Sequence, residues 1–236
     1  MKNKLFTLLF FPTFFTLAQP ADLHNEWDKL LRRHVTPNGK VGYDGFKKDI
    51  SFLDAYLTKM SQNEPQSNWS ENAIKAYWMN LYNAATIKLV LIKYPIESIT
   101  KVMEKPWDHK FVKVGKSTYS LNEIEHSILR KKYKDARIHF GVNCAAISCP
   151  KLHYMAFTEE NVDNELTKLA RLFINNKTKN KVSANSVQIS KIFEWYKEDF
   201  GKTDAELIAY INKYADVKAS PKAKIQYLEY DWNLNK

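Results

Sequence analysis

The chain has 236 residues, a formal charge of +10, a sequence pI near 9.3, 44% hydrophobic residues and 2 cysteines. That length suits one substantial domain or two small ones. The basic balance would favour anionic partners, but the lysines are scattered along the chain and no nucleic-acid-binding motif appears, so nucleic acid is excluded as a partner.

The first residues read as a sorting signal. Lys2 and Lys4 precede an apolar stretch from Leu5 to Leu17, broken by Pro12, and Thr16-Leu17-Ala18 supplies small residues for cleavage after Ala18. The stretch falls short of the roughly 20 residues that span a bilayer, so the expected mature chain, Gln19 to Lys236, keeps no stable membrane span. An uncleaved anchor is the competing reading. Removing Lys2 and Lys4 lowers the charge by two, and export to the periplasm or the extracellular space is the expectation.

No repeat, low-complexity tract or long Gly/Ser linker interrupts the remainder, which reads as a single domain. A first helix is expected near Asp22 to His34, and a second near Phe46 to Met60 follows a loop carrying "VGYDG". The third is the longest. It is capped by Ser70, closed by Pro95, and apolar nearly all round between Lys75 and Lys88 except at Asn80, Asn83 and Thr86. It reads as a buried central helix. "FVKVGKSTYSL" alternates and turns at Gly115, the pattern of a β-hairpin. Ser120 and Glu123 then form a capping-box pattern at the head of "IEHSILRKKY". Cations at the end of that helix, "RKKYKDAR", suit the helix dipole without any ligand.

"ARIHFGV" (136–142) alternates as a strand, with Ile138, Phe140 and Val142 on one face and Arg137, His139, Gly141 and Asn143 on the other. Further expectations are a helix over 159–175, a short strand at "VQIS", a helix "KIFEWYKEDF", a helix capped by "TDAE", and a last strand in "KIQYLEYDW". The fold class is therefore α+β, with helices packed around a small, mostly antiparallel sheet.

Several groups of residues are candidates for chemistry. Asn80 and Asn83 lie one turn apart on the most buried helix; they either tie loops to the core or supply an oxyanion donor. Glu125 lies beside the apolar face of Leu121, Ile124 and Ile128, with His126 on the flank. The pair either poises an imidazole as general base, or Glu125 forms a buried clamp with Arg137. Cys144 and Cys149, in "GVNCAAISCPKL", leave three chemical readings open beside that of two inert buried thiols. A disulfide would stabilise by about 2 kcal/mol through loop closure. A thiol nucleophile would need His126 or His139 as its base. Zinc would need both cysteines and two histidines, outside the tight structural spacings.

"AYWMNLYNAATIKLVLIKYPIESI", "SLNEIEHSILR", "ARIHFGVNCAAISCPKL" and "SKIFEWYKEDFG", in that order, resemble the domain-of-unknown-function family 547 (DUF547), over about residues 42–214. The resemblance implies site positions at Asn80, Asn83, Glu125, His126, Arg137, His139, Cys144, Ser148 and Cys149, with Gly141 where alanine is more usual. It implies no settled reaction. The recurring Cys, His, Glu and Asn are the side chains of papain-like or transglutaminase-like thiol enzymes, here with histidine before cysteine in the chain.

The expectation is thiol chemistry on an amide or ester. Cys149 attacks, His126 takes its proton, Glu125 orients the ring and Asn80 or Asn83 stabilises charge, with Cys144 and His139 also catalytic candidates. Arg137, Asn143 and Ser148 are candidate contacts to a peptide, amide or glycan ligand, and no cofactor or metal is expected. The rival is a non-catalytic binding or structural domain with a Cys144–Cys149 disulfide.

Overall fold

The computed structural model describes residues 19–20 and 22–236; the expected sorting signal and its cleavage site lie outside them. Four helices build the first half: α1 (Asn25–His34), α2 (Tyr43–Lys48), α3 (Ile50–Gln62) and α4 (Glu71–Leu91). Where one helix was expected near Phe46 to Met60, the chain breaks at Asp49, whose carboxylate accepts from Arg33 at 2.6 Å and His34 at 2.8 Å. Ser70 caps α4 by accepting from the Ala73 N–H at 3.1 Å. Nearly every α4 side chain is buried, and helices on several sides pack against it. Among the described residues no helix is long and apolar enough to cross a membrane.

The hairpin forms as read, β1 (Val112–Val114) pairing antiparallel with β2 (Ser117–Tyr119). The Ser120 box closes in both directions, at 3.1 Å from the Glu123 N–H to Ser120 and 2.9 Å from the Ser120 N–H to Glu123. The helix it starts is wound as a π-helix over Glu123–Arg130 before a last turn, α5 (Lys131–Tyr133). In i→i+5 winding Leu129 falls under Ile124, so Leu129 is fully buried and Ile128 only partly.

The expected strand over 136–142 does not exist: Ala136–Phe140 is a 3-10 turn. Asp135 winds it, accepting from the Arg137 N–H at 3.1 Å and gripping the Arg137 guanidinium at 2.9 and 2.8 Å. The alternating faces inferred from a strand are therefore absent. His139, Gly141 and Asn143 point into the protein beside Ile138 and Phe140.

The second half carries α6 (Val162–Ile174), β3 (Lys181–Val182), β4 (Ser186–Ile189), α7 (Ile192–Trp195), α8 (Lys197–Phe200), α9 (Asp204–Tyr214) and β5 (Lys224–Tyr227). β4 pairs antiparallel with β3 and parallel with β5, which completes an α+β fold of helices around small sheets. Thr203 and Glu206 form a second reciprocal capping box. Beyond β5 the chain leaves the sheet and straps the cysteine loop. Ile147 donates to Asn233 at 2.7 Å, Asn235 donates to Ala145 at 3.1 Å, and Ala146 bridges Leu234.

Candidate functional site

The cysteine loop is held from both sides. Asn83 on α4 accepts from the Asn143 N–H at 2.9 Å and donates to the Gly141 carbonyl at 2.9 Å. Asn143 in turn donates to Pro150 at 2.7 Å and accepts from the Ala145 N–H at 2.9 Å, in a turn where Ala145 takes a φ of +64°. Asn80 grips the backbone of Phe157 at both ends of its amide, at 2.7 and 3.0 Å. Both helix asparagines thus tie loops to the core, and neither lines the cleft beside the thiols.

The loop presents the two thiols to a cleft of about 230 Å³. Their sulfurs stand 2.7 Å apart and unbonded, whereas a disulfide bond measures about 2.05 Å. Cys149 Sγ accepts from the Cys144 thiol and from the Cys144 N–H at 2.8 Å, while the Tyr230 hydroxyl lies 3.1 Å from Cys144 Sγ. These contacts divide the pair. Burial raises the Cys144 thiol well above its ordinary range, and the hydrogen bond and charge of Cys149 raise it further. Burial also works against the Cys149 thiolate. There, however, the Cys144 S–H and N–H, the Lys179 ammonium and the Tyr230 hydroxyl outweigh it and hold the thiol below its ordinary value.

Glu125 and His139 line the same cleft. His139 Nε2 lies 2.6 Å from Asp199, its Nδ1 lies 3.9 Å from Glu125, and its ring stacks on Tyr196 at 4.0 Å. Glu125 also accepts from the Tyr82 hydroxyl at 2.9 Å. Burial, then the nearby Glu125 charge, push the Tyr82 and Tyr196 phenols up, so both remain hydroxyl donors. Burial raises Asp199 too, but bonds from His139 and Arg130 overcome it and keep that carboxylate ionised.

Besides Asn80, Asn83 and the buried Asn143, three expected site residues lie outside the cleft. His126 Nδ1 accepts from Arg130 at 2.8 Å, and the ring is not among the side chains lining the cleft. Neighbours in a helix point apart, so Glu125 serves His139 instead. Arg137 does not clamp Glu125; it binds Asp135, Asp163 at 2.6 Å and Thr167 at 2.7 Å. Ser148 accepts from the Asp231 N–H at 2.9 Å and so anchors the terminal strap.

Other residues at the cleft were not anticipated from the sequence. Asp199 and Tyr196 come from "SKIFEWYKEDFG", Tyr82 from the turn of α4 that carries the asparagines, and Tyr230 and Trp232 from the strap. Trp195 and Trp232 stack at 5.8 Å, and Trp107 packs on Trp232 at 5.4 Å, so the mouth is walled by aromatic rings. Among the described residues no three His, Cys, Asp or Glu side chains converge as metal ligands.

Fold and site together define an α+β domain with an asymmetric thiol pair that shares a cleft with an imidazole held between carboxylates. Residues 66–174 match the model of the family described as "Protein of unknown function, DUF547", and the chain carries a DUF547-like domain. The matched stretch contains α4, Glu125, His139 and both cysteines; Asp199, Tyr230 and Trp232 lie beyond it. No curated protein and no solved structure matches the chain.

Proposed function

We propose that the cleft is a thiol catalytic site of an exported protein, acting on an amide or ester of a peptide-like or glycan-like substrate, with Cys149 as nucleophile and His139, in place of His126, as the imidazole. The observation that carries this reading is the pair of donors on Cys149 Sγ, which favours the thiolate in a cleft that also holds His139. The thiolate adds to the acyl carbon and the amine or alcohol leaves with a proton from the imidazolium. Water, giving its proton to the neutral ring, then cleaves the thioester. Asp199 fixes the ring through Nε2, while Nδ1, 3.9 Å from Glu125, carries the proton in both steps, and the Tyr230 hydroxyl, beside the sulfurs, replaces the asparagines as the donor to developing negative charge.

Turnover of p-nitrophenyl esters and peptide amides by the purified chain tests the reading. Cys149→Ala is expected to abolish turnover and the acyl-enzyme mass, His139→Ala to lower the rate by about 10²-fold or more, and His126→Ala to leave it nearly unchanged. Undiminished turnover by Cys149→Ala sinks it.

The 2.7 Å sulfur separation favours a second reading, a pair that closes to a disulfide in an oxidising compartment. Intact mass of the native exported chain separates the two. Alkylation only after reduction supports the disulfide, and the unmodified mass reports whether cleavage follows Ala18.

A further inference from the structure

A second cavity, of about 500 Å³, shares only Cys149 and Pro150 with the thiol cleft. Its volume lies within the roughly 300–1,000 Å³ typical of small-molecule sites. Its floor is apolar, built from Leu169, Leu172 and Phe173 of α6, and the Ile147 side chain adds to it from the cysteine loop. Leu172 is 55% exposed and Ile147 48% exposed, so two large aliphatic side chains meet water in one groove. No Asp or Glu side chain lines the cavity; Lys40, Lys151, Lys179 and Lys236 do.

Two of these cations are drawn inward without a carboxylate partner among the described residues. Lys179 donates to the Cys149 carbonyl and lies 5.6 Å from the centre of the Phe173 ring. Lys151 donates to the Pro37 carbonyl at 2.9 Å. Neither forms an ion pair with a carboxylate among the described residues. Burial pulls both ammonium groups below the ordinary lysine value, the sign of charges partly removed from water. The stem of Lys151 is also pinned. Gly39, at a φ of +84°, lies against it so closely that a Cβ there would come within 2.3 Å of Lys151 Cβ. An anion in the groove would offset the cost of holding these charges half out of water, and an apolar chain would cover the exposed floor.

We infer that this cavity is a binding site, separate from the thiol cleft, for a single-chain amphiphile with an anionic head. The head meets Lys179 and Lys151, and the tail lies over Leu169, Leu172 and Phe173. The inference is independent of any role for Cys149 as a nucleophile.

Calorimetric titration of the full purified chain with dodecanoate, below its micelle-forming concentration, tests it. Dodecanol and dodecyltrimethylammonium keep the tail and change the head, acetate and inorganic phosphate keep only the head charge, and dodecyl phosphate offers the other anionic head. Saturable binding of one dodecanoate or one dodecyl phosphate per chain is expected, with the alcohol and the cationic amphiphile at least about tenfold weaker and the small anions weaker still. Lys151→Gln with Lys179→Gln should weaken dodecanoate about tenfold. Leu172→Glu, at an exposed position that leaves folding intact, should weaken it at least as much by setting a like charge on the floor. Equal affinity for dodecanol and dodecanoate, or affinity unchanged in both variants, overturns the inference.

Discussion

At the residue scale the site rests on unequal sulfurs. Cys149 is the more buried of the two, yet it receives the donors, while Cys144 gives them. In the reduced chain Cys149 should therefore be carboxamidomethylated faster than Cys144 at pH 7, against the order that exposure alone would give. Replacing Cys144 by alanine removes the S–H donor and leaves the backbone one, so the pH midpoint of Cys149 alkylation should rise. Peptide mapping after timed iodoacetamide exposure reads both, and a faster Cys144 at neutral pH would remove the basis for Cys149 as nucleophile. The helix asparagines make a contrasting prediction, because they act on the loop and not on a substrate. Asn83→Ala strands the buried Gly141 carbonyl and Asn143 N–H. At about 1–3 kcal/mol for each group left unpaired, it should cost roughly 2–6 kcal/mol in denaturant unfolding. Asparagine spacing was visible in the sequence, but which backbone groups the amides would meet depended on loops 58 and 77 residues away.

At the scale of elements, helix starts are the most local feature. Ser120→Ala opens the box that begins the Glu125 helix and should cost about 1–2 kcal/mol in thermal or urea unfolding, since Ser120 is buried. A loss below about 0.3 kcal/mol would mean that the box is incidental to the helix. The caps at Ser70, Ser120 and Thr203 were legible because each involves side chains within a few residues of the backbone they serve. Alternation over 136–142 misled for the opposite reason. Seven residues of alternating polarity fit a strand, but the winding is set by the Asp135 carboxylate, and among the described residues no strand pairs with the segment. The site divides in the same way. Two cysteines, a glutamate near an apolar face and a histidine just ahead of the first cysteine could be picked out by residue type. Asp199 and Tyr230 could not, because 60 residues separate His139 from Asp199 and 86 separate Cys144 from Tyr230. Choosing His126 over His139 followed adjacency to Glu125, and in a helix adjacency turns side chains apart.

At the scale of the whole molecule, two buried histidines tie stability to pH. His24, just ahead of α1, lies 2.9 Å from the Tyr56 hydroxyl, and burial, with a smaller push from Lys59, lowers its pKa from 6.5 to about 4. His153 stacks on Phe157, and burial lowers its pKa likewise to about 4, although Glu165 at 3.3 Å works the other way. Each ring takes up a proton more readily unfolded than folded. The stability conferred by the neutral rings is therefore complete above pH 6.5 and is lost as the pH falls from 6.5 towards 4. At pH 5 the loss is on the order of 2 kcal/mol for each histidine, and protonation adds charge to a chain already at +10. The carboxylates whose pKa values are lowered, such as Asp49, Asp135 and Asp199, stay ionised down to pH 5 and do not enter this window. Urea unfolding at constant ionic strength should thus show a drop of about 4 kcal/mol between pH 7.5 and 5. His153→Gln, whatever it does to stability at neutral pH, should roughly halve that drop, and an undiminished acid loss in the variant would exclude His153 as one of its sources.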